Sequence, residues 1–340
     1  MTTDHELILS RSVGCLAGVA IGDSMGMPTS GYTPEQIREK FGKVISFFDA
    51  PKGHIVHDGL KAGHVTDDTQ ITLVLADALI NDQYISSEGF AQRLWEWSVK
   101  CDASAKRLLG PSTRAALEKV ARGVDIKYVS GLGATNGAAM RVSPVGVVDA
   151  GLNLHEIVKD VAKSCAFTHN TDVAISAASA VACSISKAIK GNCSIDDIIK
   201  AGIRGARLGA QFGSLYPAAP VDKRIELAIN LVSHAKSPIE VIDYLYNYVG
   251  AGIASNEAVP TAFGVFAATY GEPMDAIIMA TNIGGDADTI ASIVGGIGGA
   301  FKGIEAFPKE MVKKVAKINE LNFNEIARKL LEVRKMRLIK

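Results

Sequence analysis

The sequence predicts an all-α protein. Apolar residues recur every three to four positions along most of the chain, which is the period of a helix with one buried face. No alternation of strand and helix patterns, the arrangement that builds a parallel sheet, interrupts this periodicity. Aromatic residues make up only 6% of the chain and 33 residues are glycine, so we expect helices that pack closely through small side chains.

The predicted helices follow one another along the whole chain. The first strong one covers residues 71–80 and ends near Asn81 and Asp82. No low-complexity segment or Pro/Ser-rich linker divides the chain, so we expect one domain over residues 1–340, with C-terminal helices at 309–337 packing on it. The further helical patterns cover residues 90–99, 113–122, 154–166, 173–189, 195–206, 223–234, 239–246, 256–268, 274–280, 288–300, 309–318 and 324–335.

Charge and composition exclude several classes of protein. The 340 residues include 36 Lys+Arg and 36 Asp+Glu, so the formal net charge is zero. This balance argues against nucleic acid or an anionic membrane surface as the main partner, because both require a basic face. A hydrophobic content of 48% excludes a disordered chain. The five cysteines are scattered without a C-x-x-C pair, which favours a cytoplasmic location.

Three apolar runs resemble membrane-spanning segments or signal peptides in composition. Residues 13–21, 173–186 and 289–301 are each shorter than the roughly 20 residues that a membrane-spanning helix needs. Acidic residues precede the first run, where a signal peptide carries positive charge. The sequence therefore predicts a soluble protein without a membrane partner.

Two segments place carboxylates at the start of an apolar helix. Residues 63–70 and 284–289 each combine a glycine turn, two aspartates and a threonine. Helix capping explains one aspartate in each segment. Neighbouring carboxylates repel each other unless a cation lies between them, and oxygen-only ligands suit Mg²⁺, Mn²⁺ or Ca²⁺ better than Zn²⁺. If the two helix starts meet, they could hold two metals about 3.5–4 Å apart. The spacing alone leaves both capping and metal binding open.

Other polar or glycine-rich features are less specific. The glycines and alanines of residues 131–141 allow the backbone to approach an anion, and a tight helix–helix contact is the alternative. His169 lies between two apolar helices, where a hydrogen-bonded structural histidine and a catalytic one are both reasonable. His54, His57 and His64 form a loose group whose spacing does not indicate zinc.

Taken together, these segments resemble the ADP-ribosylglycohydrolase family, which includes the dinitrogenase reductase-activating glycohydrolase. The resemblance covers about residues 11–301, and six landmarks occur in the order that the family has them. These landmarks are Gly14–Gly18, Gly22–Pro28, Thr66–Thr69, Asn136–Arg141, Thr168–His169 and Gly284–Thr289.

The resemblance implies a multi-helix fold with two Mg²⁺ or Mn²⁺ ions in a central cleft, and cleavage of the C1″ bond of an ADP-ribosyl ribose. Asp67 and Asp288 would be the catalytic carboxylates. The implied metal ligands are Thr66, Asp67, Asp68, Asp286, Asp288 and Thr289. The implied substrate-binding residues are Asn136, Gly137, Ala138, Met140, Arg141 and His169.

Two departures from the family pattern concern the substrate side. The first family motif commonly ends in glutamate, but Ser30 occupies that place here. Arginine-directed members carry an acid in a later stretch, whereas the similar stretch Leu108–Thr113 has none. The resemblance implies an ADP-ribosyl hydrolase, with an ADP-ribosylated protein as the first candidate substrate. Because both departures lie on the substrate side, the substrate need not be an ADP-ribosylated protein. An N-glycosidase of a small nucleoside or ribosyl metabolite and a catalytically inactive ADP-ribose-binding module are the alternatives. The aglycone, the preferred metal and the oligomeric state do not follow from the sequence.

Overall fold

The computed structural model describes residues 4–100 and 109–339, and this part of the chain is mostly helical. No β-strand occurs in the described ranges, and the three isolated β-bridges include one between Leu132 and His169. The prediction of an all-α protein is thus confirmed. Leu108, one of the positions singled out in the sequence, lies outside the described residues.

All the helices that the apolar periodicity predicts are present. Four others, α1, α2, α6 and α7, were not predicted, because α1 is apolar on every side and the other three are eight residues long or shorter. The helices are α1 (Asp4–Gly26), α2 (Pro34–Phe41), α3 (Asp67–Asp82), α4 (Ser87–Lys100), α5 (Pro111–Ala121), α6 (Gly137–Arg141), α7 (Ser143–Val148), α8 (Leu154–Cys165), α9 (Asp172–Lys190), α10 (Ile195–Gly209), α11 (Val221–Ser233), α12 (Pro238–Tyr244), α13 (Ser255–Ala268), α14 (Pro273–Thr281), α15 (Ala287–Lys302), α16 (Lys309–Ile318) and α17 (Phe323–Ile339).

Helices α1 and α15 run antiparallel in direct backbone contact. Glycines spaced four residues apart form one stripe along α1, since residues i and i+4 share a helix face. A Cβ atom added at Gly18 would lie 2.1 Å from the carbonyl oxygen of Gly295, and one at Gly22 would lie 2.1 Å from that of Ala291. Only glycine permits this approach, which brings the C-terminal end of α1 beside the first residue of α15.

Two helices are longer and more apolar than the sequence runs suggested. The segments Asp4–Thr29 and Asp172–Lys190 are long and apolar enough to cross a membrane, so the prediction that these runs are too short is wrong on length. However, 72% of the most apolar window of the first helix and 89% of that of the second is buried inside the protein. Burial of this kind is typical of core helices in globular proteins.

We expect Gly22→Ala to lower the free energy of unfolding by about 3 kcal/mol, the upper end of the usual cost of overpacking a core. The added methyl group would meet the Ala291 carbonyl, and the gain in helix propensity of about 1 kcal/mol would not offset that clash. Urea denaturation measures the difference. Gly110→Ala is the control, because a Cβ atom there meets no atom of the described residues within 4 Å. Equal stability of Gly22→Ala and the wild type would contradict the close helix contact.

Candidate active site

The starts of α3 and α15 meet at a cavity of about 550 Å³. Its wall includes Asp67 and Asp68 from α3 and Asp286, Asp288 and Thr289 from the start of α15. The structure therefore brings together the two segments that the sequence singled out. The sixth predicted ligand, Thr66, is fully buried directly behind the cavity wall, with its hydroxyl 3.3 Å from Asp68 Oδ2.

Helix α3 is capped by residues other than its own aspartates. The Thr66 hydroxyl accepts a hydrogen bond from the Asp68 backbone N–H at 3.3 Å. The carboxylate of Asp23, at the end of α1, accepts from the backbone N–H groups of Thr66 at 2.9 Å and Thr69 at 3.1 Å. Asp67 accepts instead from the backbone N–H of Gly110. Capping thus explains Thr66 and Asp23, and it does not explain why α3 begins with two further carboxylates.

A glycine turn fixes the start of α15. Gly285 has a φ of +64°, and a Cβ atom there would lie 2.1 Å from the Ala251 carbonyl oxygen. Its N–H donates to the Tyr32 carbonyl at 2.8 Å, and the Asp286 N–H donates to the Ala251 carbonyl at 2.6 Å. Although Asp286 occupies the N-cap position, its side chain makes no capping bond and accepts instead from the Asn136 side-chain amide.

Both carboxylate oxygens of Asp288 are held by neighbouring groups. The Ser30 hydroxyl donates to Oδ1 at 2.8 Å, and the Thr289 backbone N–H donates to the same oxygen at 3.0 Å. His57 Nε2 lies 2.8 Å from Oδ2. Sequence reasoning did not propose Asp23 or His57 as site residues. Asp23 is part of the Gly22–Pro28 landmark, so the resemblance could have identified it as a site residue. His57 lies in a loop, and no sequence periodicity predicts the path of that loop.

The carboxyl groups of the site are buried and repel one another. Burial, together with the negative charge of Asp288, raises the pKa of Asp67 to about 8 and that of Asp286 to about 7. Burial also raises the pKa of Asp23 to about 6 and that of Asp68 well above its ordinary value. Without a counter-charge, Asp67 and Asp68 therefore tend to keep their protons at neutral pH, whereas Asp286 is partly protonated and Asp23 is mostly ionised.

Asp288 is the exception, because His57 stabilises its anion. Burial alone would raise the pKa of Asp288, but the hydrogen bond and charge of His57 outweigh burial and lower it. Burial would likewise lower the pKa of His57, and the same contact raises it instead. The pair therefore favours a carboxylate next to an imidazolium.

The donor set of the cavity fits a hard cation. Asp67, Asp68, Asp286 and Asp288 offer carboxylate oxygens at the cavity. Arg114 and a protonated His57, which also line it, would offset two of these four negative charges. Asp68 Oδ1 is buried and has no hydrogen-bond partner within residues 4–100 and 109–339, which is costly unless a cation binds it. Carboxylate and hydroxyl oxygens are the ligands that Mg²⁺ and Mn²⁺ prefer. As they stand, no three His, Cys, Asp or Glu side chains within the described ranges lie close enough together to hold one metal ion.

The predicted substrate residues divide into two groups. Asn136, Gly137, Met140 and His169 line the cavity. Ala138 and Arg141 are buried and are not part of the cavity wall. A Cβ atom at Gly137 would lie 2.9 Å from the His169 ring, so a substitution there would displace this imidazole. Gly137 therefore both packs closely on His169 and lines the cavity, so phosphate binding by this segment stays a prediction.

Arg141 lies behind the cavity wall and contacts the residues that position His169. Its guanidinium packs over the Phe90 ring and donates to the Thr168 hydroxyl at 2.7 Å. That hydroxyl lies 2.7 Å from His169 Nδ1, and His169 Nε2 lies 2.9 Å from the Thr135 hydroxyl. Because Arg141 can only donate, the Thr168 hydroxyl accepts from it and can donate its own hydrogen bond to His169 Nδ1. The ring then carries its proton on Nε2 and donates to Thr135. Burial lowers the pKa of His169 well below its ordinary value, so the ring is neutral.

Exposed apolar side chains line part of the mouth of the cavity, together with the exposed Asp58 and Arg114. Ile55 is 77% exposed, Val56 45% and Ile253 50%, and all three line the cavity. Ser30, which stands where the family pattern has glutamate, also lies on the wall. The described part of the second departure, residues 109–113, contributes Leu109, Gly110, Pro111 and Thr113 to the same wall. Both departures from the family pattern thus face the space that a substrate would enter.

We expect the free energy of unfolding of the metal-free protein to fall, relative to that of a reference variant, as the pH rises. The reference is the double variant Asp67→Asn, Asp286→Asn, which lacks the two carboxyl groups. In the unfolded chain these carboxyls ionise near pH 4, whereas in the folded protein they keep protons up to about pH 7 to 8. Between those values the folded state binds more protons, so its stability falls with increasing pH. Each unit of pKa shift corresponds to about 1.4 kcal/mol, so we expect a relative loss of at least about 2 kcal/mol between pH 5 and 8.5. Urea denaturation in EDTA measures it, and a constant difference would contradict the raised pKa values.

Comparison with known proteins identifies the family. The sequence profile of the ADP-ribosylglycohydrolase family matches residues 4–338. The chain is 32% identical to YegU of Escherichia coli, over 96% of this chain and 98% of that protein. It is 26% identical to the human ADP-ribosylhydrolase ARH3, over 88% of each chain. A solved structure described as an ADP-ribosylglycohydrolase-related protein complex superposes with a TM-score of 0.69 at 22% identity, covering 97% of this chain and 98% of that one. The chain therefore belongs to the ADP-ribosylglycohydrolase family, whose members are hydrolases that act on glycosidic bonds, and it has the fold of that family.

Proposed function

We propose that this protein is a divalent-cation-dependent hydrolase that cleaves the C1″ bond of ADP-ribosylated substrates. The main support is Asp68 Oδ1, which is buried without a hydrogen-bond partner among the described residues and lies at a cavity that Asp67, Asp286 and Asp288 also line. Such a group of negative charges is costly without cations, and family membership supports metal use. A cavity of about 550 Å³ is of the size that accommodates a small ligand.

The proposed cofactors are two Mg²⁺ or Mn²⁺ ions. Two such cations would orient a vicinal diol of the ribose and assist the ionisation of water. The start of α3 is held by the hydrogen bond from Thr66 N–H to the Asp23 carboxylate, and that of α15 by backbone hydrogen bonds. Cation binding would therefore require the ligand side chains, rather than the helices, to move. The proposed ligands are Thr66, Asp67, Asp68, Asp286, Asp288 and Thr289.

Asp67 and Asp288 are the proposed catalytic carboxylates. Both line the cavity, so each can face the anomeric carbon of a bound ribose. Glycoside cleavage passes through a transition state with positive charge on the sugar, which a nearby carboxylate stabilises. A carboxylate can also accept the proton of the attacking water. The bonds from Ser30 and His57 keep Asp288 ionised and oriented for this role.

The substrate side supports a second candidate, an N-glycosidase of a small nucleoside or ribosyl metabolite. Ser30 replaces the family glutamate, and exposed apolar side chains such as Ile55 and Ile253 line part of the mouth. Such an apolar surface suits a heteroaromatic base, either the adenine of ADP-ribose or a nucleobase that leaves as the aglycone. The two candidates differ in the pyrophosphate, which is present only in ADP-ribosyl substrates.

The metal requirement tests the function directly. We expect EDTA-treated protein to be inactive, and Mg²⁺ or Mn²⁺ to restore release of ADP-ribose from ADP-ribosyl-arginine or ADP-ribosyl-serine peptides. Asp68→Asn should lower kcat/KM by more than about 100-fold, because even outer-shell partners of a metal cost 10–100-fold. Asp196→Asn, an exposed carboxylate far from the cavity lining, is the matched control. Full activity of Asp68→Asn in EDTA would contradict the proposal.

Arg114 distinguishes the two substrate classes. Its guanidinium lines the cavity and donates to the Leu109 carbonyl at 2.9 Å, so it can add charge to a pyrophosphate site. We expect Arg114→Gln to lower kcat/KM for ADP-ribosyl peptides by about 10-fold or more, since a hydrogen bond to a charged group contributes about 1.5–3 kcal/mol. Turnover of neutral nucleosides should change little. Activity on nucleosides alone, with ADP-ribose failing to inhibit it, would replace the first candidate by the second.

A further inference from the structure

The loop between α2 and α3 contains His57, and residues 54–58 of this loop line the cavity. His57 and Asp288 are both almost completely buried, and their contact of 2.8 Å joins this loop to the start of α15. The contact is not explained by helix capping, because the Thr289 N–H and the Ser30 hydroxyl satisfy the other oxygen of Asp288. His57 is therefore placed to act on one atom, Asp288 Oδ2.

The hydrogen bonds on Asp288 leave one acceptor position open. Each carboxylate oxygen has two lone pairs. Oδ1 uses both of them, one for Ser30 and one for Thr289 N–H. Oδ2 uses one for His57, and no N–H group of the described residues takes the other, although the carboxyl of Asp286 interacts with that of Asp288. A bond from His57 thus orients the carboxylate and still leaves an oxygen lone pair for a cation.

His54 fixes the position of His57. His54 Nδ1 accepts the backbone N–H of His57 at 3.0 Å and that of Val56 at 3.2 Å. The two imidazole rings stack with centroids 5.3 Å apart, and the edge of the Tyr32 ring contacts His54 at 5.2 Å. A histidine held by its own backbone and by a stacked neighbour loses little further freedom when it bonds Asp288.

We propose that His57 is a positioning residue for divalent-cation binding: its ring N–H holds Asp288 so that the free lone pair of Oδ2 meets the cation, and His54 holds His57 in place. This inference rests on the proposed function, because it requires that Asp288 binds a cation. Outer-shell hydrogen bonds of this kind raise metal affinity by orienting the ligand before the metal arrives.

The test is the dissociation constant of Mn²⁺, measured by titration calorimetry in the absence of substrate. We expect His57→Ala and His57→Asn to bind Mn²⁺ about 10–100-fold more weakly than the wild type. Asn is too short to reach Oδ2, whereas Gln can place its side-chain N–H near the position of Nε2, so His57→Gln should bind within a few-fold of the wild type. His64→Ala is the control, because His64 bonds the Lys61 carbonyl and does not line the cavity.

Melting temperatures in EDTA show which variants are folded. If His57→Ala does not fold, the comparison of His57→Gln with His57→Asn still tests the inference. Wild-type affinity in His57→Asn would overturn the inference and leave the proposed function intact. Equal losses in folded His57→Gln and His57→Asn would also overturn it, because the loss would then not depend on a donor at Nε2. Failure of the wild type to bind Mn²⁺ would overturn the proposed function and this inference with it.

Discussion

The backbone contact between α1 and α15 is the constraint on which the site depends. Gly14, Gly18, Gly22 and Gly26 each face a backbone group of α15, and the facing residues are also spaced by four. This repeat fixes the antiparallel register, because a shift would bring Cβ atoms into the contact. The register places Asp23 of α1 close to the start of α15. The Asp23 carboxylate then holds the start of α3 by accepting hydrogen bonds from the backbone N–H groups of Thr66 and Thr69.

The cost of this arrangement is electrostatic. Three rigid helices present carboxylates to one buried region, where burial and mutual repulsion raise the pKa values of four of the five aspartates. A core with this much unfavourable charge is expected where function, not stability, sets the residues. Asp288 is the exception, because hydrogen bonds from His57 and Ser30 lower its pKa. These bonds keep this carboxylate ionised and oriented.

The sequence predicts the local part of this structure well and the non-local part poorly. Apolar periodicity locates helices such as α3 and α9, and family landmarks locate the segments 66–69 and 284–289. Neither signal shows which loop crosses the cavity, so His57 was missed. The position of Arg141 behind the wall depends equally on tertiary packing, because only the folded chain brings Thr168 and Phe90 to it.

We propose that α1 and α15 hold two helix starts at a spacing that binds a pair of divalent cations. Electron paramagnetic resonance of the protein with two equivalents of Mn²⁺ tests this spacing, because two Mn²⁺ ions about 3.5–4 Å apart are magnetically coupled. A coupled multiline spectrum with no free Mn²⁺ is the expected result. Two independent six-line signals, or Mn²⁺ that stays free in solution, would contradict it.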